Sequence, residues 1–567
     1  MVRLYIILGL FVLSASANEL GVIDVIGEAN SDTTSTSINF LSQSEQKMNQ
    51  LVIQESSPGV YNPIKEGLQG DKILLDVNGI RMTNALFRSG PNQYFSWIPR
   101  TFVSEIQEDT LSRLMLNNSM GGEINQQLGI RESYLSSSYN TNNNAFDLSA
   151  GYSGDKISIG MSWIDTDNIK DTKGEVPYSN YNQKAFYANT KEIESNDISF
   201  LISQSNDIPR TDHYAKDDPY DYELQRYIFL SDSIDLSLHG NLKLSFQSFE
   251  EDINESSGQT TTINNIYSFI YSYALTQNLS ISLSDYYEDI KYNDSRFNYN
   301  TLSIQTAYEH SLNNYNLLMA YTFSKADISG DITNDFVNHS GLLKLSYANF
   351  YASIVQGYRF PSIINLAKSI ITEKGIDIAN ENLKPESSTT FTLAYNSKQF
   401  FAKVYYRILD NLITRELLPG LVDGLDAYET INAKDGEMYG AIVGSNIDFN
   451  EIKTSLYLEY TYGKTYNDYI SKITPFHATA MLEYKNFYTE YLHALKAKNM
   501  SEADNRDIRI VGHNNGYDIV NIGYRYIKNN HELKLRVNNI FNSKGRVYAS
   551  SVDWKRRNLS LEYKYYF

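Results

Sequence analysis

The chain has no cysteine, so a disulfide framework, a lipid-modified amino-terminal cysteine and a cysteine nucleophile are all excluded. It also lacks a long apolar run. A transmembrane helix needs about 20 consecutive apolar residues, and the nearest approach, Leu4 to Leu13, is too short to span. Basic residues are outnumbered by acids, leaving a net charge of −18. That excludes nucleic acid as a partner, because neutralising phosphates requires clustered lysine and arginine. Neither Gly-x-Ser-x-Gly nor His-Glu-x-x-His occurs, and the 8 histidines form no ligand-like spacing. The chain therefore does not read as an enzyme. Spacing leaves open only a Ser, His and acid assembled from different strands.

Positions 1–17 have the parts of a secretory signal in order: a basic start at Arg3, an apolar core over Leu4 to Leu13, and the small triplet Ala15-Ser16-Ala17. A buried amino-terminal helix is the alternative. From about residue 129 onward the pattern is period two. At the carboxy-terminus Leu559, Leu561, Tyr563, Tyr565 and Phe567 alternate with Asn558, Ser560, Glu562 and Lys564. The alternation recurs at Leu242-Leu244-Phe246, Leu279-Ile281-Leu283, Phe391-Leu393-Tyr395, Leu456-Leu458-Tyr460-Tyr462 and Leu533-Leu535-Val537, each run bounded by turn residues. One apolar and one polar face suit a sheet with lipid outside and a filled lumen inside. Lipid offers no partner to an open sheet edge, so such a sheet must close. The 46 tyrosines fit the headgroup level, where a ring can be buried while its hydroxyl stays wet. At about ten residues per strand plus turns, roughly 440 residues make about 22 strands. A soluble propeller or solenoid would need a fixed-period repeat, and none is found.

Residues 18–128 differ, with mixed helix and strand character and glycine-bearing turns. Lys72 to Met82 reads as an apolar strand, an Asn78-Gly79 turn and a second short strand. Here the chain resembles TonB-dependent receptors: Asn78-Gly79-Ile80-Arg81-Met82 takes the place of the family's plug turn. Asn84 to Tyr94 is similar to one branch of the family, and Met120-Gly121-Gly122-Glu123-Ile124-Asn125 to its plug exit. Tyr358-Arg359-Phe360-Pro361 with Asn380 to Glu386, Val537 to Asn542 and the final strand extend the likeness over the mature chain. The resemblance implies an all-β transmembrane protein, an antiparallel barrel (129–567) with a small α+β plug inside its lumen (18–128, including the TonB-interacting segment).

The function implied is active uptake across the outer membrane of a Gram-negative cell, with periplasmic TonB protein, outer-membrane lipid and a metal-chelate ligand as partners and the chain acting as a monomer. Ile23, Asp24, Val25 and Ile26 stand where the family keeps its TonB box, and such a peptide can add as a strand to a partner's sheet edge. An ordinary first plug strand is the alternative. Arg81, Arg88, Asn92, Gln93, Tyr94 and Trp97 form a polar and aromatic cluster expected on the apical loops that meet the ligand. The alternative for each is contact with the barrel wall. Haem is disfavoured, since residues 362–379 contain no histidine. A ferric siderophore of modest charge leads, with a corrinoid as the second cargo, and a passive porin or a surface receptor as other readings. Asp217, Asp218 and Asp221 are calcium candidates in an acid-rich loop, where simple solvation is the commoner role. No other cofactor is expected. Two departures from the family stand out: Lys65-Glu66-Gly67 reverses the charge of its usual arginine, and Glu108-Asp109 replaces an apolar pair. The acid pair implies a rearranged strand, wall arginines facing it, or a plug held less firmly.

Overall fold

The computed structural model describes residues 51–567 apart from 83–84, 87–93, 110–118, 192–195, 215–218, 237–239, 256–257, 368–369, 373–374, 423–424, 434 and 508. The leader over residues 1–17 and the segment Ile23, Asp24, Val25 and Ile26 lie outside the described residues.

Period-two patterning produces a closed antiparallel barrel of 22 strands, each paired with its neighbours in chain order. In Ile157–Thr166 the exposed Ile157, Ile159, Met161 and Trp163 alternate with buried Ser158, Gly160 and Ser162. The large apolar side chains thus point outward and the small ones toward the lumen, the reverse of a soluble sheet. Closure joins the last strand, Asn558–Tyr566, to the first, Tyr134–Asn140, from Ser560 opposite Asn140 to Tyr566 opposite Tyr134. All five upstream alternating runs lie on barrel strands.

Loop length orients the barrel. One end carries tight turns such as 313–314, 450–451 and 485–486, and the other carries long connections such as 360–385, 411–435, 495–516 and 539–557. Long loops mark the outer end of such barrels. The wall is lopsided. Strands from Tyr220–Asp235 to Asn334–Tyr347 run 14 to 18 residues, whereas Tyr134–Asn140, His477–Tyr484, Phe487–Ala494 and His531–Asn538 run 7 or 8. Where strands are short, the long loop 539–557 reaches inward to the plug strand Val52–Ser57.

The described residues between 51 and 128 fill that lumen with two small sheets. The first is Val52–Ser57, Val60–Lys65 and Leu68–Gln69; the second has the order Ile80–Arg81, Leu74–Val77, Glu123–Leu128, Val103–Asp109, its central pair parallel. Helical content among the described plug residues is confined to short 3-10 turns such as Tyr94–Trp97. The Asn78-Gly79 turn forms as expected, with φ of 52° and 73°, the left-handed pair of a tight hairpin. Val103–Asp109, which carries the atypical acids, is an edge strand with Glu108 opposite Ile124 and Asp109 opposite Glu123. The side chains of both acids lie outside the described residues. Plug and wall share one apolar core: Ile73, Val77, Phe102 and Ile124 pack in the same cluster as wall residues Tyr187, Phe229, Phe249 and Met438.

Candidate ligand chamber and plug fastenings

Among the described residues, three ion-pair clusters fasten plug to wall. At the left-handed turn after Val60–Lys65, buried Glu66 pairs with Lys65 at 3.2 Å, with Arg407 at 2.8 Å and with Lys403. Burial alone would raise this carboxyl; Lys403, Lys65 and Arg407 outweigh it and hold it well below the ordinary range. The charge reversal noted in the sequence is therefore answered by the wall. Second, Lys72 donates to both oxygens of Glu386 at 2.7 Å, while Arg359 pairs with the same carboxylate and the Ile413 amide donates to it at 2.8 Å. The two barrel boxes quoted above, separate in the chain, thus meet at Glu386, which also holds the plug lysine. Third, Arg81 lies over the Tyr286 ring at 4.1 Å, with Glu288 3.6 Å from its guanidinium.

These placements bear on the candidate site. Arg81 is 2 % exposed and Trp97 4 % exposed, the latter packed on Phe249 with ring centroids 5.5 Å apart. Both contact the wall rather than an open vestibule. Tyr94 begins a 3-10 turn, its side chain outside the described residues, as are Arg88, Asn92 and Gln93. Asp217 and Asp218 are likewise outside, and Asp221 accepts the Tyr214 hydroxyl at 2.5 Å. Among the described residues no group of three or more His, Asp or Glu is placed to hold a metal ion.

The outer loops are tied together. Asp504 accepts from the Ser471 hydroxyl at 2.6 Å, the Lys472 amide at 3.1 Å and the Tyr548 hydroxyl at 3.2 Å, joining loops 466–476, 495–516 and 539–557. Asp212 is held by Arg210 at 2.7 Å and lies 3.8 Å from Arg509, which joins loop 210–219 to the same group. Burial would raise Asp212; the Arg210 guanidinium and then Arg509 lower it to about 2. Loop 539–557 also rests on the plug: Gln54 donates to the Ala549 carbonyl at 2.6 Å and the Ser551 amide to the Glu55 carbonyl at 2.7 Å.

Beneath these loops is an off-axis cavity of about 620 Å³, between plug strand Val52–Ser57, the outer ends of the short strands and residues 547–555. Its wall includes Asn140, His477, Glu490, Tyr517, Arg536, Asn538, Trp554 and Asn558. A volume of this size suits a compact small-molecule cargo. Sequence reading did not single out these residues as ligand contacts, although Asn538 and Asn558 lie in motifs that carried the family likeness. All but Asn140, on the first barrel strand, come from the far end of the chain, and nothing local distinguishes them from other inward-facing polar positions. Lys403 and Arg407 did carry a signal: with Tyr405 they occupy the inward set of their strand, while Val404, Tyr406 and Ile408 face out.

No curated protein matches the chain by sequence. Solved structures share its fold. The FrpB iron transporter from Neisseria meningitidis (F3-3 variant) superposes with a TM-score of 0.73 at 12% identity, covering 93% of this chain and 97% of its own. The copper transporter OprC gives 0.73 at 13% identity, with 93% and 95% covered. A mutant of the ferric enterobactin receptor PfeA from Pseudomonas aeruginosa gives 0.67 at 13% identity, with 93% and 96% covered. Residues 76–540 match the family described as TonB dependent receptor-like, beta-barrel. With most of its length matched, its 22 strands closed and its lumen filled, this chain belongs to the TonB-dependent receptors.

Proposed function

We propose that the protein is exported by the leader over residues 1–17, sits in the outer membrane of a Gram-negative cell, and imports a scarce metal chelate, a ferric siderophore. Periplasmic TonB protein supplies the work by pulling on the segment Ile23, Asp24, Val25 and Ile26. The observation that carries this reading is the plug's fastening, above all Glu66 between Lys403 and Arg407. A lumen filled by a domain that shares its core and its ion pairs with the wall is not an equilibrating pore. Breaking a buried ion pair costs about 3–5 kcal/mol, so cargo release calls for external work. A chelate brings its own ligand atoms, which suits described residues that offer no metal-binding group. Three structural neighbours, described as iron, copper and ferric enterobactin proteins, lend support from the same fold.

The test is uptake of radiolabelled iron from ferric siderophores by cells expressing the full chain or a form lacking residues 23–26. Saturable uptake lost on the deletion is expected. Uptake indifferent to the deletion overturns the reading, and energised uptake of a labelled corrinoid in place of iron would reassign the cargo.

A further inference from the structure

We propose that the outward face of the short strands is a docking site for one phosphorylated glycolipid of the outer leaflet, with its phosphates on Lys496, Lys544 and Arg557 and an acyl chain in the groove below them. This surface faces away from the lumen, and the inference goes beyond the import reading.

The groove comes from side-chain size. Leu482, Phe487, Ile522, Tyr524, Leu535 and Val537 surround an apolar depression of about 360 Å³ whose floor includes Thr489. Strand register explains it: Thr489 stands opposite Leu482 on one neighbouring strand and Ile522 on the other, and Val537 continues the row. One small side chain among larger ones leaves a trough on the face that meets hydrocarbon. Strand length then fixes its depth. The outward band from Leu559 to Phe567, at about 3.4 Å per residue and a tilt of about 40°, covers about 20 Å. That is short of the roughly 25 Å such barrels present to lipid. The bilayer thins to match, which brings the outer headgroups down to the residues that follow the strand ends.

Those residues are cationic. Arg557 stands two positions before Leu559, which pairs with Val537 at the outer end of the groove. Its guanidinium lies 3.5 Å from the Ile540 carbonyl, beside Phe541, which is 71 % exposed. Lys544 and Lys496 come from neighbouring backbone: a Cβ on Gly545 would lie 2.6 Å from the Gly516 carbonyl oxygen, and one on Gly516 would lie 3.0 Å from the Lys496 amide nitrogen. All three cations are exposed, and none forms an ion pair with a described residue, in a chain of net charge −18. Exposed cations at headgroup level above an apolar groove complement an anionic amphiphile. Lys496 follows Phe487–Ala494 and Arg557 precedes Asn558–Tyr566, three strand spacings apart or about 14 Å. That spread suits a headgroup with a phosphate at each end rather than a single phosphodiester. The wall also supplies a contrast. A larger outward groove of about 500 Å³ includes Leu343, Ile354, Leu393 and Val404, and its strand Phe400–Asp410 ends in an acid.

The experiment is native mass spectrometry of the purified full-length protein in detergent, titrated with diphosphorylated lipid A, with its dephosphorylated form and with phosphatidylglycerol. One lipid A per protein is expected, held more tightly than either of the others. Lys496→Ser, Lys544→Ser and Arg557→Ser should each weaken it about fivefold, and all three together about a hundredfold. Thr489→Trp, which fills the groove, should weaken it as well, whereas Leu393→Trp in the larger groove should leave it unchanged. Heat-modifiable migration checks that each variant retains its barrel, and the three charge variants, which lie outside the strands, decide the matter if Thr489→Trp does not assemble. Equal binding of dephosphorylated lipid A or of phosphatidylglycerol overturns the inference. So does lipid A binding untouched by the triple substitution, or weakened as much by Leu393→Trp as by Thr489→Trp.

Discussion

Glu66 illustrates how a single residue that departs from a family pattern can be read. In sequence it is a reversed charge beside a glycine; in the structure it is shared as an ion-pair partner by Lys65, Lys403 and Arg407. Glu66→Gln removes the carboxylate those cations share and should weaken plug docking by about 3–5 kcal/mol, measured as the urea concentration at which the plug becomes accessible to protease. Adding Arg407→Gln should restore part of the loss, since the two residues are coupled. The pH dependence has a definite sign. A carboxyl lowered from its ordinary 4.5 contributes stability that is complete above that value and is lost as pH falls toward its depressed one. Plug docking should therefore hold from neutrality to about pH 5 and weaken below it, and Glu66→Gln should remove that part of the acid dependence.

Strands and loops answer to different solvents. Leu561 lies on the closing strand, 39 % exposed and opposite Tyr139 and Leu535, on the face that meets lipid. Leu561→Arg should cost about 2–4 kcal/mol near mid-bilayer, read from unfolding in lipid vesicles. Gly357 faces the other way, and a Cβ there would lie 2.4 Å from the Ser119 carbonyl oxygen of the plug. Backbone cannot give as a side chain can, so Gly357→Val should cost about 1–3 kcal/mol or more through overpacking, measured by the same protease assay. The outer loops depend on Asp504. Asp504→Ala should untie them by about 3 kcal/mol through lost charge-assisted hydrogen bonds, seen as faster tryptic cleavage at Lys496, Lys498 and Arg506 while the barrel stays intact. The alternation that makes the strands is legible one strand at a time, because burial on alternate faces is a local pattern. The ties between loops are not, since Asp504 draws its donors from Ser471 in one loop well before it and Tyr548 in another well after it.

At the scale of the molecule, barrel and plug are halves of one packing problem. A barrel of this strand number encloses more space than its inward side chains can fill, and residues 51–128 fill it. The intact protein should show no steady conductance in planar bilayers. A form with residues 18–128 removed, provided its barrel assembles, should open a large aqueous pore; steady conductance by the intact protein would contradict the sealed lumen. The likeness to the receptor family was legible at Asn78-Gly79-Ile80-Arg81, at the two barrel boxes and at the final strand, because each of those motifs is local. What the motifs hold together was less so: Arg359 and Glu386 gain their meaning from Lys72, which belongs to the plug and stands far earlier in the chain.

The sequence by itself determined the class of this protein. Its period-two runs, the lack of a spanning helix and the final phenylalanine strand admit one arrangement that satisfies every backbone group in lipid, a closed barrel, and a differently patterned segment ahead of it supplies the filling. Only the tertiary structure decided which residues do the fastening and which share a cavity. Arg81 and Trp97 look like ligand-facing residues in the chain and are buried against the wall, whereas His477, Arg536 and Trp554 look ordinary in the chain and share one cavity. The reason is physical. A periodic burial pattern is written residue by residue along a strand, whereas the partner of a charge across a lumen is set by strand register and closure, which no local stretch of sequence contains.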